Sequence, residues 1–405
     1  MSVEKNVPEI RFKGFEGEWK RLSLGELGSV ATNKRIFIHQ TSLIGDVPFY
    51  KIGTFGREPK LFISQELFED YKKRYPFPQK GDLLFSVIGS IGRVVEYTGE
   101  DEYFQDSNVV WLQHNGSIVN SFLKQFYSIV EWEGIEGSTI KHLYNRTILG
   151  TKIQTPSREE QTKIGNTFQK LDSLTNQHQQ KHDKLSSIKK AMLEKMFPKQ
   201  GETTPEIRFK GFSGEWEGAT LGEVGDTFTG LSGKTKDDFG HGEGRFVTYM
   251  NVFSNTISDG TLIEPIEIDS FQNEVKLGDV FFTTSSETPE EVGMSSVWMA
   301  EIKNVYLNSF CFGYRPKQRF DNYYLAYMLR SFSFREKIIF LAQGISRYNI
   351  SKRKVLDIKV HYPNFEEQAA IGNYFQNLDT LIIQHQQQFT KLNNIKQACL
   401  SKMFV

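Results

Sequence analysis

The segment SREEQTKIGNTFQKLDSLTNQHQQKHDKLSSIKKAMLEKMF, Ser157 to Phe197, returns as NFEEQAAIGNYFQNLDTLIIQHQQQFTKLNNIKQACLSKMF, Asn364 to Phe404. From Glu159/Glu366 to Phe197/Phe404 the two align without a gap at a constant offset of 207, and 24 of 39 residues are identical. Each predicts one long helix. Ser157 with Glu160, and Asn364 with Glu367, stand at capping-box spacing, which offers a side-chain acceptor to the first free backbone N–H groups. Pro156 and Pro363 stand just before each start, and no proline interrupts until Pro198. An uninterrupted run of about 40 residues at 1.5 Å each is a rod of roughly 60 Å.

Residues Ile164, Phe168, Leu171, Thr175, His178, His182, Leu185, Met192 and Met196 form a 4-3 spaced seam, echoed by Ile371, Phe375, Leu378, Ile382, His385, Phe389, Leu392, Cys399 and Met403. Such spacing is a heptad stripe, and the expected partner of each helix is the other. Leu174, Ile188 and Leu193, with Ile395 and Leu400 in the echo, widen the stripe beyond a bare two-stranded zipper. His178 and His385 recur at equivalent seam positions and read as polar residues that fix register; a metal pair is the alternative.

Working outward, PEIRFKGFEGEW at Pro8 to Trp19 returns as PEIRFKGFSGEW at Pro205 to Trp216, and LGEL at Leu24 as LGEV at Leu221, both at an offset of 197. KGDLLFS around Gly81 and Asp82 matches LGDVFFT around Gly278 and Asp279 at that same offset. The chain is one module written twice. Four segments follow: a body over 1–156, a helix over 157–200, a second body over 201–363 and a second helix over 364–405. The shift from 197 to 207 implies about ten extra residues in the second body, after Gly278.

Short β-branched and aromatic runs bounded by Gly, Asn and Asp predict strands in both bodies: VPFYKIG, DLLFSVIG, RVVEY and NVVWLQ in the first, RFVTYMNV, DVFFTT, SSVWMA and SFCFGYRP in the second. A helix is expected from Ser121 in one and from Tyr323 in the other, and the strands TKIQTP and IKVHYP lead into the long helices. The expected fold class is mixed α/β: two bodies of strands and helices, separated by two long helices in an antiparallel coiled coil with pseudo-two-fold symmetry.

Composition sets bounds. Of 405 residues 38% are hydrophobic and 24% charged, ordinary values for a globular chain. Cys311 and Cys399 are the two cysteines, which excludes a disulfide framework and points to a reducing cytosol. No run of 18 apolar residues and no apolar N-terminal segment is present, so a cytoplasmic chain without a membrane span is expected. Lys plus Arg and Asp plus Glu both number 49. That balance argues against a protein holding DNA alone by phosphate neutralisation and leaves room for local basic faces or partner subunits.

Catalytic motifs are missing. Gly233-Lys234-Thr235 resembles the end of a phosphate-binding loop, but Phe228 stands where that loop needs glycine. No GxGxxG follows a strand, no Asn-Pro-Pro-aromatic tetrapeptide of N6-adenine methyltransferases occurs, and neither HExxH nor GxSxG is found. The chain is read as non-catalytic, with no cofactor or metal of its own.

Two divergent bodies, each followed by a near-identical helix carrying EEQxxIG and a terminal MF, resemble the specificity subunit of a type I restriction-modification system over the full chain. The resemblance implies that each body is a target-recognition domain for one half of a bipartite, asymmetric site in double-stranded DNA. It also implies that the helices pair as a spacer and dock two modification (methyltransferase) subunits. S-adenosylmethionine and ATP would then be bound by partner subunits, the ATP by restriction subunits that translocate and cleave. Antiparallel pairing of equal helices independently turns two bodies toward opposite strand senses, as two half-sites require.

Candidate DNA contacts are cations and aromatics beside Gly-rich turns: Lys34, Arg35, Lys51, Arg57, Arg93 and Lys141 in the first body, and Lys234, Lys236, Arg245, Tyr249, Arg347 and Tyr348 in the second. Arg and Lys suit guanine edges and phosphates; an aromatic stacks or packs on a thymine methyl. The rival readings are a stand-alone DNA-binding or architectural protein, and a coiled-coil scaffold that binds only proteins.

Overall fold

The computed structural model describes residues 6–137 and 141–404. Contacts divide the chain into two compact units, Met1–His178 with Gln387–Val405, and Gln179–Gln386. This cut falls inside the long helices, at neither of their starts, so each unit holds the first half of one helix and the last half of the other.

The first unit begins with β1 (Lys20–Ser23), α1 (Leu24–Leu27), β2 (Gly28–Ala31), β3 (Val47–Tyr50), β4 (Leu61–Ile63) and α2 (Gln65–Arg74). It continues with β5 (Leu83–Ser86), β6 (Val94–Glu96), β7 (Tyr103–Phe104), β8 (Val109–His114), α3 (Asn120–Ile129), α4 (Asn145–Gly150), β9 (Lys152–Thr155) and the long α5 (Arg158–Lys195). Its strands form a four-stranded sheet β2-β8-β5-β6, a three-stranded sheet β4-β3-β7 and the pair β1-β9.

The second unit repeats the plan with β10 (Glu217–Thr220), α6 (Leu221–Val224), β11 (Gly225–Thr229), β12 (Phe239–Val247), α7 (Tyr249–Ser254), β13 (Ile257–Ser258) and β14 (Ile263–Ile266). Next come β15 (Val280–Thr283), β16 (Ser285–Ser286), β17 (Ser295–Trp298), β18 (Val305–Leu307), β19 (Cys311–Pro316), α8 (Asn322–Met328) and α9 (Phe332–Leu341). The small β20 (Tyr348–Asn349), α10 (Lys352–Leu356) and β21 (Lys359–Tyr362) lead into α11 (Phe365–Met403). The sheets are β11-β19-β15-β17-β13, β14-β12-β18, and the pairs β10-β21 and β16-β20. Each sheet of the first unit thus has its counterpart, and the fold is mixed α/β in both.

The extra residues divide in two. Phe85 pairs with Val110, 25 residues on, whereas Phe282 pairs with Phe312, 30 residues on. The rest extends the helical region that follows. That region is two helices, where the sequence predicts one from Tyr323: Ser331 breaks the run, its Oγ donating to the Met328 carbonyl and accepting from the Phe334 N–H at 3.4 Å. A second correction concerns RFVTYMNV, predicted as one strand. Thr248 accepts the Asn251 N–H and turns its second half into α7, as the N-cap preference of Thr allows.

Both long helices form as expected, and their N-termini are capped by Ser157 and Asn364, which accept the N–H groups of Glu160 and Glu367. Within each unit the two helix halves run antiparallel. In the first, Lys396 reaches Asp172 at 2.6 Å and Phe404 lies 6.3 Å from Phe168; in the second, Lys189 reaches Asp379 at 2.5 Å and Phe197 lies 6.0 Å from Phe375. Seam residues Ile164, Phe168, Ile371, Phe375 and Leu378 are buried, and Leu171, His178, Leu185, His385 and Leu392 partly so. The helix ends belong to the cores of the bodies: Ile164, Phe168 and Met403 share one cluster with Phe122 of α3, and Met196, Phe197 and Phe375 share another with Tyr324 of α8. Gly165 and Gly372 make this approach possible, since a Cβ at either would collide with Ser121 or Asp321.

Candidate nucleic-acid interface

The repeated LGE motif mounts a small helix in each unit. Gly25 sits against the backbone of Leu149 in α4, where an added Cβ would lie 3.1 Å from the carbonyl oxygen; Gly222 sits against Leu356 in α10, at 3.3 Å. Leu24 N–H donates to Thr151, and Leu221 N–H to Ile358. Leu143, Ile148, Ile350 and Val355 are buried beneath these helices. The last turns of α4 and α10 are therefore packed in place, while at their starts Asn145, Arg146 and Arg353 are exposed and Lys352 is half-buried.

Those side chains line an open cleft in each unit. The first, about 590 Å³, lies among Val30, Thr32, Val87, Tyr144, Asn145 and Arg146. The second, about 740 Å³, lies among Thr227, Thr229, Thr284, Ser351, Lys352 and Arg353. Residue for residue these are the same positions of the repeat, at offsets of 197 before the insertion and 207 after it. The Thr32/Thr229 and Arg146/Arg353 positions keep their residue type; the other four change. Electrostatically the clefts differ as well. Arg146 pairs with Glu136 and lies 5.7 Å from the Tyr144 ring, whereas Lys352 and Arg353 have no ion-pair partner among the described residues.

A strand bridge flanks each cleft, Glu136↔His142 in the first unit and Gln343↔Asn349 in the second. Lys141 adjoins the first, and Arg347 and Tyr348 adjoin the second, with Lys141 and Arg347 exposed. Tyr249, at the start of α7, donates its hydroxyl to the carbonyl of Ser285 at 3.0 Å. Ser285 in turn pairs with Asn349. Tyr348 pairs with Ser286 in the same strand pair, so Tyr249 and Tyr348 both meet β16, next to Thr284 of the second cleft. Burial raises the Tyr249 pKa. Arg335 on α9 braces the neighbouring loop by donating to the carbonyls of Glu290, Val292 and Gly293.

The other candidates sit elsewhere. Lys51 and Arg57 belong to one turn after β3, and Arg93 donates to the Phe55 carbonyl inside it at 3.0 Å. Arg35 is paired with Asp106 at 2.9 Å, and the Lys34 ammonium lies 5.0 Å from the Tyr75 ring. Lys234 is paired with Asp269 at 2.8 Å. Arg245 spends its guanidinium on the carbonyls of Gly242 and Gly244, and Lys236 is exposed on a short turn. Sequence reading did not single out Asn145, Arg146, Lys352 and Arg353, which line the clefts. Their signal was present in the 207 register, where Arg146 and Arg353 coincide inside otherwise dissimilar stretches. Among the described residues no group of three or more His, Cys, Asp or Glu is placed to hold a metal, and no helix is long and apolar enough to cross a membrane.

Comparison with known proteins finds the same doubling. The family model for the type I restriction modification DNA specificity domain matches twice, over residues 16–187 and 213–397. The chain belongs to this family. Both matches of the specificity domain contain a cleft and the start of a long helix or its approach. A putative type I restriction enzyme specificity subunit of Haemophilus influenzae is 48% identical over 158 residues, 39% of this chain and 41% of that protein, so the alignment spans less than half of that relative. The putative MjaX specificity subunit of Methanocaldococcus jannaschii is 23% identical over 325 residues, 75% of this chain and 72% of that one. In fold, the specificity-family chain resembles the crystal structure of the type I system S subunit from M. genitalium, with a TM-score of 0.56 at 16% identity over 98% of this chain and 99% of that one.

Proposed function

We propose that this chain chooses the DNA sequence on which a type I restriction-modification assembly acts. Each unit reads one half of a bipartite, asymmetric site in double-stranded DNA. The paired halves of α5 and α11 set the distance between half-sites and dock two modification subunits. The chain itself is non-catalytic and works in the cytoplasm. S-adenosylmethionine is bound by the modification subunits and ATP by restriction subunits. The observation that carries this reading is the double occurrence of one cleft with one mount and a diverged lining, in a chain whose family is defined by DNA specificity. A scaffold that bound only proteins through its helices would need no such pair of diverged clefts.

The test is exchange of one body. Leu22 to Leu143 is replaced by the corresponding segment of a family member with another target, and methylated motifs are mapped in a host genome. One half of the motif changes and the other stays. A change in both halves, or in neither, refutes the reading.

A further inference from the structure

The two clefts occupy the same place in the repeat, yet their linings divide into residues that stay and residues that change. A contact to phosphate is indifferent to base sequence, so a residue that performs it serves both halves of an asymmetric site equally well. A contact to a base edge must differ wherever the two half-sites differ. Arg146 and Arg353 are alike and stand at the second position of α4 and α10; Asn145 and Lys352, one residue earlier, are unlike. All four project from helices whose undersides, Ile148 and Val355, are fully buried, and whose backbones are pressed against Gly25 and Gly222. Such a mount keeps the backbone that carries these side chains in place before DNA arrives, which lowers the ordering cost of binding.

Resting on the functional reading above, we infer that Asn145 and Lys352 read bases at corresponding positions of the two half-sites, while Arg146 and Arg353 hold the adjacent phosphates. The chemistry assigns the bases. A carboxamide presents one donor and one acceptor side by side, the complement of adenine N6 and N7; an ammonium presents donors only, the complement of guanine O6 and N7. Asn145 therefore selects adenine in the first half-site and Lys352 selects guanine in the second. Neither has a side-chain hydrogen bond within the protein among the described residues, so both are available. Arg146 reaches phosphate by giving up Glu136, and Arg353 has no such competitor. The second cleft accordingly contributes more to salt-sensitive binding than the first.

The full chain, assembled with its modification subunits, is used to select binding sites from DNA randomised across both half-sites. Asn145→Lys shifts one position of the first half-site from A·T toward G·C by roughly 5- to 150-fold and leaves the second half-site as it was. Lys352→Asn does the converse. Arg353→Ala selects the parental motif but binds every sequence more weakly, with a salt slope smaller by about one. If the parent assembly selects a motif and both exchanges select that same motif, the assignment is overturned while the functional reading stands. A change of preferred base with Arg353→Ala also overturns it. A parent assembly that selects no motif overturns the functional reading itself.

Discussion

The guanidinium of Arg11 places Nε and Nη2 each 2.7 Å from a carboxylate oxygen of Glu160, and Arg208 meets Glu367 at the same two distances. Nη1 of each arginine donates to a carbonyl in its own strip, Gly17 and Gly214, at 2.6 Å. Both glutamate side chains are 1% exposed. Hydrogen bonding to Glu160 raises the Arg11 pKa above its ordinary value. The most repeated motifs, PEIRFKGF and EEQ, are thus two halves of one latch between a body and its helix. The neighbouring glutamine completes it: Gln161 and Gln368 accept the N–H groups of Val119 and Asp321 while donating to Pro156 and Pro363.

Arg11→Ala leaves the Glu160 carboxylate buried without its partner. Breaking such a pair costs about 3 kcal/mol, more than the pair itself contributes relative to a neutral replacement. Thermal unfolding of the first unit is expected to move down markedly, and Glu160→Gln added to Arg11→Ala to recover part of the loss. A double variant as unstable as the sum of the singles shows that the two side chains do not act as a unit.

Phe168 and Phe375 are fully buried at equivalent seam positions. Truncating either to alanine opens a cavity where helix and body meet and costs about 3 to 5 kcal/mol. Calorimetry on the two single variants should show each loss in a different unit. An unchanged melting profile means that these rings are not buried between helix and body.

Glu206 carries a pH signature. Hydrogen bonds from Lys195 and Lys199 hold its carboxyl down to about 2, from an ordinary 4.5. A depressed folded-state pKa adds stability that is present above the ordinary value and is lost as pH falls from about 4.5 to about 2. Because these groups are exposed the contribution is small. Acid unfolding of Glu206→Gln should be shallower than that of the parent across this window; parallel curves would count against it.

The long helices are the elements that pass from one unit into the other. One heptad inserted after Gln180 and another after Gln387 keep the seam in phase and add about 10.5 Å of helix, roughly three base pairs at 3.4 Å per step. Methylation mapping should then return both half-sites unchanged with a spacer about three base pairs longer, the added twist being taken up by DNA deformation. Full activity at the parental spacing means that something other than α5 and α11 measures the distance.

The sequence by itself determined the doubled module, the two capped helices with their heptad seam, the strand-rich bodies and the family resemblance. These are legible because periodicity, capping and repetition are properties of neighbouring residues or of a constant offset. It also named Tyr249 and Tyr348, which the fold connects through β16 and β20. It erred at Ser331 and Thr248, where one hydroxyl outweighs a run of apolar residues by capping a new helix. Tertiary structure alone decided which cations are already engaged. Lys234 is held by Asp269, Arg93 by the Phe55 carbonyl, and Arg245 by two carbonyls in its own bend, whereas half-buried Lys352 and exposed Arg353 have no ion-pair partner among the described residues. The availability of a charge depends on what folding brings beside it, and for Lys234 and Arg93 that partner lies tens of residues away. The latch between Arg11 and Glu160, 149 residues apart, is the same lesson: both motifs were visible, but only the fold joins them.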